Sequence, residues 1–320
     1  MTHENVVVVG TDGSEAAYSA LEWGFAQALA RKAELRIACV YELPSYAAHT
    51  ISLGRTDIEA ESRLLYEAAK SMVDELVARY ANRGIPVSGV LLEGDASEKL
   101  VELSKTVALM VVGGRVNRHG GIAERILRTV STALPAYSCC PTVVVPHEGY
   151  AEHLPIKRIA VGVDGSDGAK LALQRAIWEA DRWGAELLVI SAVNVEAYSG
   201  VPQFTLSKEY FDEVQAHLEN QINEVSEGRK VKVSVIVTPG SPVSTLVKIT
   251  DQVDLLILGT RGRGGFAGLL LGSTSQAILE HSMCPTFVVP RRVRPTDDVG
   301  PEIRSVTTAD ISEPKSEQSY

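Results

Sequence analysis

The chain has 320 residues, 45% of them hydrophobic and 22% charged, which is ordinary for a globular protein of about two domains. Its formal net charge of −9 argues against nucleic acid and anionic membranes as partners, because both would be repelled. The N-terminus lacks the basic start and apolar stretch of a signal peptide, and no apolar run approaches the roughly 20 residues that span a bilayer. We therefore expect a cytoplasmic protein whose 4 cysteines, without metal-ligand spacing, are reduced thiols.

The first predicted elements in chain order lie in residues 1–146, where five strands alternate with helices. A β-branched run, Val6–Val9, meets an Asp-Gly-Ser turn at Asp12, and an Ala/Leu-rich helix follows to about Arg31. The later predicted elements are, approximately, strand Leu35–Val40, helix Ile58–Asn82, strand Val87–Leu92, helix Ser97–Ser104, strand Leu109–Val112, one more helix and the strand in PTVVVP.

The same order of elements returns from Ile159, where IAVGVDGS repeats the VVVVGTDGS of the first half. Asp12 thereby corresponds to Asp164, and Gly113 corresponds to Gly259. So long a period indicates a duplicated domain rather than a solenoid repeat. The predicted elements of the second copy are, approximately, strand Ile159–Val163, a helix to Trp183, strand Leu187–Val193, helix Ser207–Glu227, strand Val231–Val237, helix Val243–Ile249, strand Leu255–Leu258, one more helix and the strand in PTFVVP.

This duplication divides the chain into two domains, 1–146 and 157–291, joined by a linker at 147–156. Residues 292–320 are rich in Pro, Ser, Thr, Asp and Glu, and we expect this tail to be disordered. Within each domain, apolar strands that alternate with helices predict an α/β fold, a doubly wound parallel sheet with helices on both faces. In such folds ligands bind beyond the carboxyl ends of the strands, where the strand order reverses.

A glycine-rich loop, GTRGRGGFAGLLLGS at residues 259–273, follows the fourth strand of the second domain and should face Asp164 across one crevice. Glycine lets backbone N–H groups approach a phosphate closely and tolerates positive φ. Gly272 and Ser273 open a helix whose free N–H groups favour an anion; the hydroxyls of Ser273 and Ser275 and the charges of Arg261 and Arg263 would assist. Neither a Walker A sequence nor a Gly-x-Gly-x-x-Gly turn after the first strand is present.

The spacing Gly259-x2-Gly262-x9-Gly272-Ser273, with the opening Val-Asp-Gly-Ser and the closing Cys-Pro-Thr-Phe-Val-Val-Pro, resembles the universal stress protein family over almost all of residues 1–291. The resemblance implies two tandem five-stranded parallel sheets in the order 3-2-1-4-5, with ATP in the second crevice and magnesium or manganese beside the triphosphate. It also implies that the closing strands dimerise, so that the two domains form an internal pseudo-dimer, while a homodimer stays open.

In ATP-binding members of that family, the aspartate after the first strand contacts the nucleoside, which corresponds to Asp164. Backbone at the end of the second strand contacts adenine, which corresponds to the region of Ala192. The glycine loop and the helix start after it would hold the ribose and phosphates. The nucleotide-binding residues implied in this way are Gly162, Val163, Asp164, Ala192, Leu258, Gly259, Arg261, Gly262, Gly272, Ser273, Thr274 and Ser275.

The first domain departs from the pattern in its own loop, GGRVNRHGGIAERILRT. Asp12 and Gly113 remain, but Arg128 stands at the position of Gly272 and would fill space that the phosphates need. We therefore expect this domain to bind ATP weakly or not at all. In a competing interpretation, Arg128 joins Arg115 and Arg118 in a different anion site, since arginine contacts phosphate through two donors.

The resulting hypothesis is a nucleotide-responsive stress regulator, because no general base is evident beside the expected γ-phosphate. Two alternatives remain. One is a slow ATP hydrolase or adenylyl-transferring enzyme on the same superfold, and the other is a module that binds cyclic AMP or serves only interactions. The sequence does not separate ATP from AMP or cyclic AMP.

Overall fold

The computed structural model of this chain describes residues 4–42, 58–114, 124–146, 153–193, 208–262 and 270–291, without the side chains of residues 58, 59 and 124–129. Most of the expected linker and all of the expected tail lie outside these residues. The same holds for Arg115, Arg118 and Arg263, and for the side chain of Arg128.

The described residues form one ten-stranded sheet in the order β3-β2-β1-β4-β5-β10-β9-β6-β7-β8. Each half therefore contains five strands that run in the order third, second, first, fourth, fifth. The strands are β1 Glu4–Thr11, β2 Glu34–Tyr41, β3 Val87–Glu93, β4 Val107–Gly114, β5 Thr142–Pro146, β6 Arg158–Gly162, β7 Glu186–Val193, β8 Val233–Pro239, β9 Leu255–Gly259 and β10 Thr286–Val289.

The two halves join through their closing strands. Neighbouring strands within each half are parallel, whereas β5 and β10 pair antiparallel, with Phe287 opposite Val143. The structure thus joins the two predicted five-stranded sheets into one, through the pairing of the closing strands that the family resemblance implies. The physical reason is that each closing strand would otherwise present an unpaired row of backbone N–H and C=O groups.

Eight helices in the described residues cover both faces of the sheet. Helices α1, α2, α5 and α6 pack on one face, in a core that is continuous across the two halves. On the other face the two halves keep separate clusters, under α3 and α4 and under α7 and α8. The helices are α1 Glu15–Arg31, α2 Ile58–Tyr80, α3 Ala96–Leu103, α4 Glu124–Tyr137, α5 Asp167–Trp183, α6 Lys208–Val225, α7 Pro242–Ile249 and α8 Ser273–His281.

Aromatic and sulfur side chains serve packing in this fold. Trp23 is fully buried in the continuous core, and Trp183 packs partly buried against it. All four cysteines lie in the described part of the chain, and none of them forms a disulfide bond there. Within the described residues, none of the helices combines the length and the apolar character needed to cross a membrane.

Candidate functional site

The Asp-Gly-Ser turn after β6 fixes the position of Asp164. Gly165 adopts a φ of +79°, which a residue with a side chain rarely does, and Ser166 N–H donates to Asp164 Oδ1 at 3.0 Å. Ser166 then caps α5, because its Oγ accepts from the Ala169 N–H at 3.2 Å. The turn therefore holds a half-buried carboxylate at the carboxyl end of β6 while it starts the next helix.

The glycines after β9 are required for space rather than for unusual backbone angles. At Gly259 a Cβ would lie 2.8 Å from the carbonyl oxygen of Gly168, at the start of α5. At Gly262 a Cβ would overlap the Asp164 carboxylate. Positive φ, which the glycine content of this segment led us to expect, is found at neither residue. What the two glycines provide is close approach of the loop to α5 and to Asp164.

Helix α8 begins at the cavity without a side-chain cap. Gly272 is the N-cap residue, with a φ of −76° and a ψ of 155°, and it makes no side-chain hydrogen bond. Its N–H donates to the Thr260 carbonyl at 2.7 Å, which ties the helix start to the end of β9. The first-turn N–H groups, which have no partners inside the helix, are left for water or a ligand.

Ser275 has a different role from the one expected. Its hydroxyl donates to the Gly259 carbonyl at 2.9 Å, and the residue is 5% exposed. Ser275 therefore pins α8 to β9. Ser273, by contrast, is exposed at the first position of the helix.

All twelve residues proposed for the second domain line one cavity of about 420 Å³, from Gly162 at the end of β6 to Ser275 in α8. Its size falls in the usual range for small-molecule sites. Sequence reasoning missed four apolar lining residues, Ala169, Ile190, Pro242 and Leu246. Pro242 and Leu246 are four residues apart on α7, so the helical period of that segment placed them on one face.

Charge in this cavity comes from few groups. Asp164 is the one carboxylate among the described lining residues, and Arg261 is the one cation. Arg261 is half-buried and forms no ion pair with any described residue. The described part of the chain holds no cluster of three or more His, Cys, Asp or Glu residues that would bind a metal on its own. The described lining of the site therefore offers one carboxylate, one guanidinium cation and a helix start.

The first domain carries a cavity at the equivalent place, of about 260 Å³. Asp12 and Gly113 line it, and the turn repeats closely, with Ser14 N–H donating to Asp12 Oδ1 at 3.0 Å. Gly13 has a φ of +76°. Burial first, and then the charge of Asp12, raises the pKa of the neighbouring Cys39 thiol. The Asp-Gly-Ser turn thus lines a cavity in each domain.

The two cavities differ at both ends. Val40 replaces Ala192 at the end of the second strand, and Val130 replaces Thr274 in the helix after the loop. Ser131, the counterpart of Ser275, lines the first cavity but makes no hydrogen bond to Gly113 among the described residues. The first cavity is therefore smaller, and it loses a hydroxyl where the second presents one.

Comparison with known proteins identifies both halves. A sequence model of the universal stress protein family matches residues 5–146 and 155–290. Universal stress protein Rv2005c of Mycobacterium tuberculosis is 30% identical over 297 residues, covering 88% of this chain and 96% of its own. Universal stress protein Mb2019 of Mycobacterium bovis is 27% identical over 301 residues, covering 88% and 94%. A solved universal stress protein from Archaeoglobus fulgidus, at 21% identity and a TM-score of 0.69, covers 91% of this chain and 100% of its own, and shares the fold.

Proposed function

The chain belongs to the universal stress protein family, with one family domain in each half, and from this premise we propose that its second domain binds ATP. The observation that carries the proposal is the convergence of three features in one cavity. They are the half-buried Asp164, the uncapped start of α8 at Gly272, and the guanidinium of Arg261, which forms no ion pair with a described residue. We further propose that the nucleotide-bound protein acts as a stress regulator and that it does so in the cytoplasm.

The cavity has an apolar part and a polar part, as a nucleotide requires. Val163, Ile190 and Leu246 form an apolar part that suits a purine ring, near the backbone of Ala192. The Asp164 carboxylate is a hydrogen-bond acceptor for ribose hydroxyls. The first-turn N–H groups of α8 and the positive end of its dipole suit the phosphates, with Arg261 adding a full charge.

A magnesium ion fits this site only as a companion of the phosphates. Magnesium is usually held by one or two carboxylates together with substrate phosphates and water. Asp164 is the one carboxylate among the described lining residues, and the exposed Ser273 hydroxyl is a neutral oxygen ligand. Most of the ion's ligands would then come from the triphosphate and water.

The lining residues favour regulation over turnover. The described part of the cavity contains no histidine, cysteine or lysine, and its one carboxylate accepts the turn hydrogen bond from the Ser166 N–H. Phosphoryl transfer requires a group that orients the nucleophile, and the described lining offers none besides Asp164. We therefore expect binding to shift a conformational equilibrium rather than to feed a fast reaction.

Calorimetric titration of the full chain with ATP and magnesium tests the proposal. We expect one site per chain, because the first cavity is smaller and Arg128 stands at the position of Gly272 in the repeat. Absence of binding, or two equal sites, would contradict the proposal. Tighter binding of AMP or cyclic AMP than of ATP would mean that the ligand of the second domain is that nucleotide and not ATP. Phosphate or pyrophosphate release over many turnovers would instead establish an enzyme.

Protein purified from cells gives an independent check. Denaturation releases whatever nucleotide the cavity carries, and chromatography against standards identifies it. We expect an adenine nucleotide in less than one equivalent per chain.

A further inference from the structure

An ion pair buried between the two domains joins α1 to α5. Arg31 Nη2 lies 2.5 Å from Glu179 Oε1, and the two side chains are 6% and 0% exposed. Arg31 belongs to the last turn of α1 in the first domain, and Glu179 belongs to α5 in the second. This junction lies far along both helices from their starts, where the two cavities are.

Positive charge exceeds negative charge at this junction. Arg182 Nη1 lies 2.8 Å from Glu179 Oε2, and Arg175 Nη1 lies 3.7 Å from Glu179 Oε1. Among the described residues, Glu179 is the one carboxylate within 4.0 Å of these three guanidinium groups. Three cations therefore share one anion in a place where water screens them poorly, and such an imbalance is unfavourable.

Burial and the neighbouring charges shift the pKa values of Glu179 and Arg31. Although burial alone would raise the pKa of Glu179, the three arginines together lower it. Burial lowers the pKa of Arg31 to about 10.

A second, independent feature of the junction is an unpaired donor. Gln27 is fully buried on α1, and its Oε1 accepts from Arg31 Nε at 3.3 Å. Its amide Nε2 is buried and has no hydrogen-bond partner among the described residues. Within the repeat, Gln27 occupies the position of Glu179, so the carboxylate of one copy is a neutral amide in the other. Gln27 therefore carries no negative charge where its counterpart Glu179 does, and its Nε2 lacks a hydrogen-bond acceptor among the described residues.

We propose that the junction of α1 and α5 binds one small inorganic anion of the halide type, held by the Gln27 amide and by the guanidinium groups around Glu179. The anion would accept from the unpaired Nε2 and offset part of the excess positive charge. Because it would contact α1 from one domain and α5 from the other, it would stabilise the pairing of the domains. The site is separate from the nucleotide cavity, and the proposal does not depend on ATP binding.

Thermal unfolding of the nucleotide-free chain tests this site. The midpoint Tm is measured in sodium chloride and in sodium gluconate at equal ionic strength. We expect chloride to raise Tm relative to gluconate by about 2–3 °C in the wild type. Arg175→Gln should abolish this difference between the salts.

The matched control is Arg229→Gln. Arg229 lies over the same Trp178 ring as Arg175, at 5.2 Å against 5.6 Å, but it pairs with Glu227 at 2.8 Å. The control should retain the full chloride effect. Equal Tm in both salts for the wild type, or equal loss of the effect in both variants, would overturn the proposal.

A crystallographic measurement covers the case in which Arg175→Gln does not fold. Wild-type crystals soaked in sodium bromide should show an anomalous peak within hydrogen-bond distance of Gln27 Nε2. Bromide peaks confined to the surface or to the nucleotide cavity would refute the site.

Discussion

The two cavities of this molecule begin from the same turn and diverge beyond it. Asp12 and Asp164 each accept from a serine N–H at 3.0 Å, and each turn has a glycine with positive φ. Yet one cavity measures about 260 Å³ and the other about 420 Å³. Among the described lining residues, the two cavities differ at the second strand and at the helix after the loop, whereas they share the turn. The two copies of the fold thus keep a cavity at the same place, while the residues that line the cavity differ.

Exchanging Gly272 for the residue at its position in the first copy of the repeat should have the largest effect. Gly272→Arg introduces the first domain's residue into the second cavity, and we expect ATP affinity to fall roughly a hundredfold, about 2.7 kcal/mol. The matched control is Gly272→Ala, since a Cβ there would lie 3.5 Å from Arg261 Cα, an ordinary contact. Titration calorimetry measures both. Unchanged or tighter ATP binding by Gly272→Arg would show that the arginine does not block the site.

The two aspartates provide the next sharpest comparison. Asp164→Ala should weaken ATP binding by about 10- to 100-fold, the usual range for losing a hydrogen bond to a charged group. Asp12→Ala removes the same turn hydrogen bond from the first domain and should leave ATP affinity unchanged. Each variant should lose about 1 kcal/mol of unfolding free energy in chemical denaturation. If Asp12→Ala also weakened ATP binding, the nucleotide would not be confined to the second domain.

The serines Ser275 and Ser131 should differ in their effect on stability. Ser275→Ala removes the hydrogen bond to Gly259, and we expect a loss of about 1 kcal/mol in the free energy of unfolding. Ser131→Ala should change that free energy by less than about 0.5 kcal/mol, because Ser131 makes no equivalent bond among the described residues. Urea denaturation of both variants measures the two losses in the free energy of unfolding. Equal losses would mean that the pin at Ser275 contributes nothing of its own.

The smallest difference is expected at two buried thiols. Burial raises the pKa of Cys140 and of Cys284 to about 12, from a usual 9.0. Since the unfolded thiols ionise first, their contribution to stability is complete below about pH 9 and is lost as the pH rises towards 12. At pH 8, mass spectrometry after iodoacetamide treatment should find both thiols equally slow and the half-buried Cys139 faster. Rapid alkylation of either buried thiol would show that the domains differ there too.

Much of the fold was predictable because its signals are local. Apolar runs and helical periods predicted the strands and helices to within about two residues at most ends; β8, for example, begins at Val233 instead of Val231. The spacing of the loop glycines brought the proposed residues into one cavity. Neither result required knowledge of distant contacts.

The remaining features depend on contacts between distant residues. The hydrogen bond from Ser275 to Gly259 spans 16 residues, and the ion pair from Arg31 to Glu179 spans 148. Local patterns do not report such pairs. For the same reason, the sequence permitted pairing of the closing strands but did not reveal that α1 and α5 would meet with three arginines around one carboxylate.

The antiparallel pairing of β5 with β10 has a consequence for any protein that responds to the bound ligand. Every strand of one half runs opposite to every strand of the other, so the carboxyl ends of the two halves lie at opposite margins of the sheet. The two cavity mouths therefore open in opposite directions. A partner that covers the mouth of the second cavity therefore leaves the mouth of the first cavity uncovered.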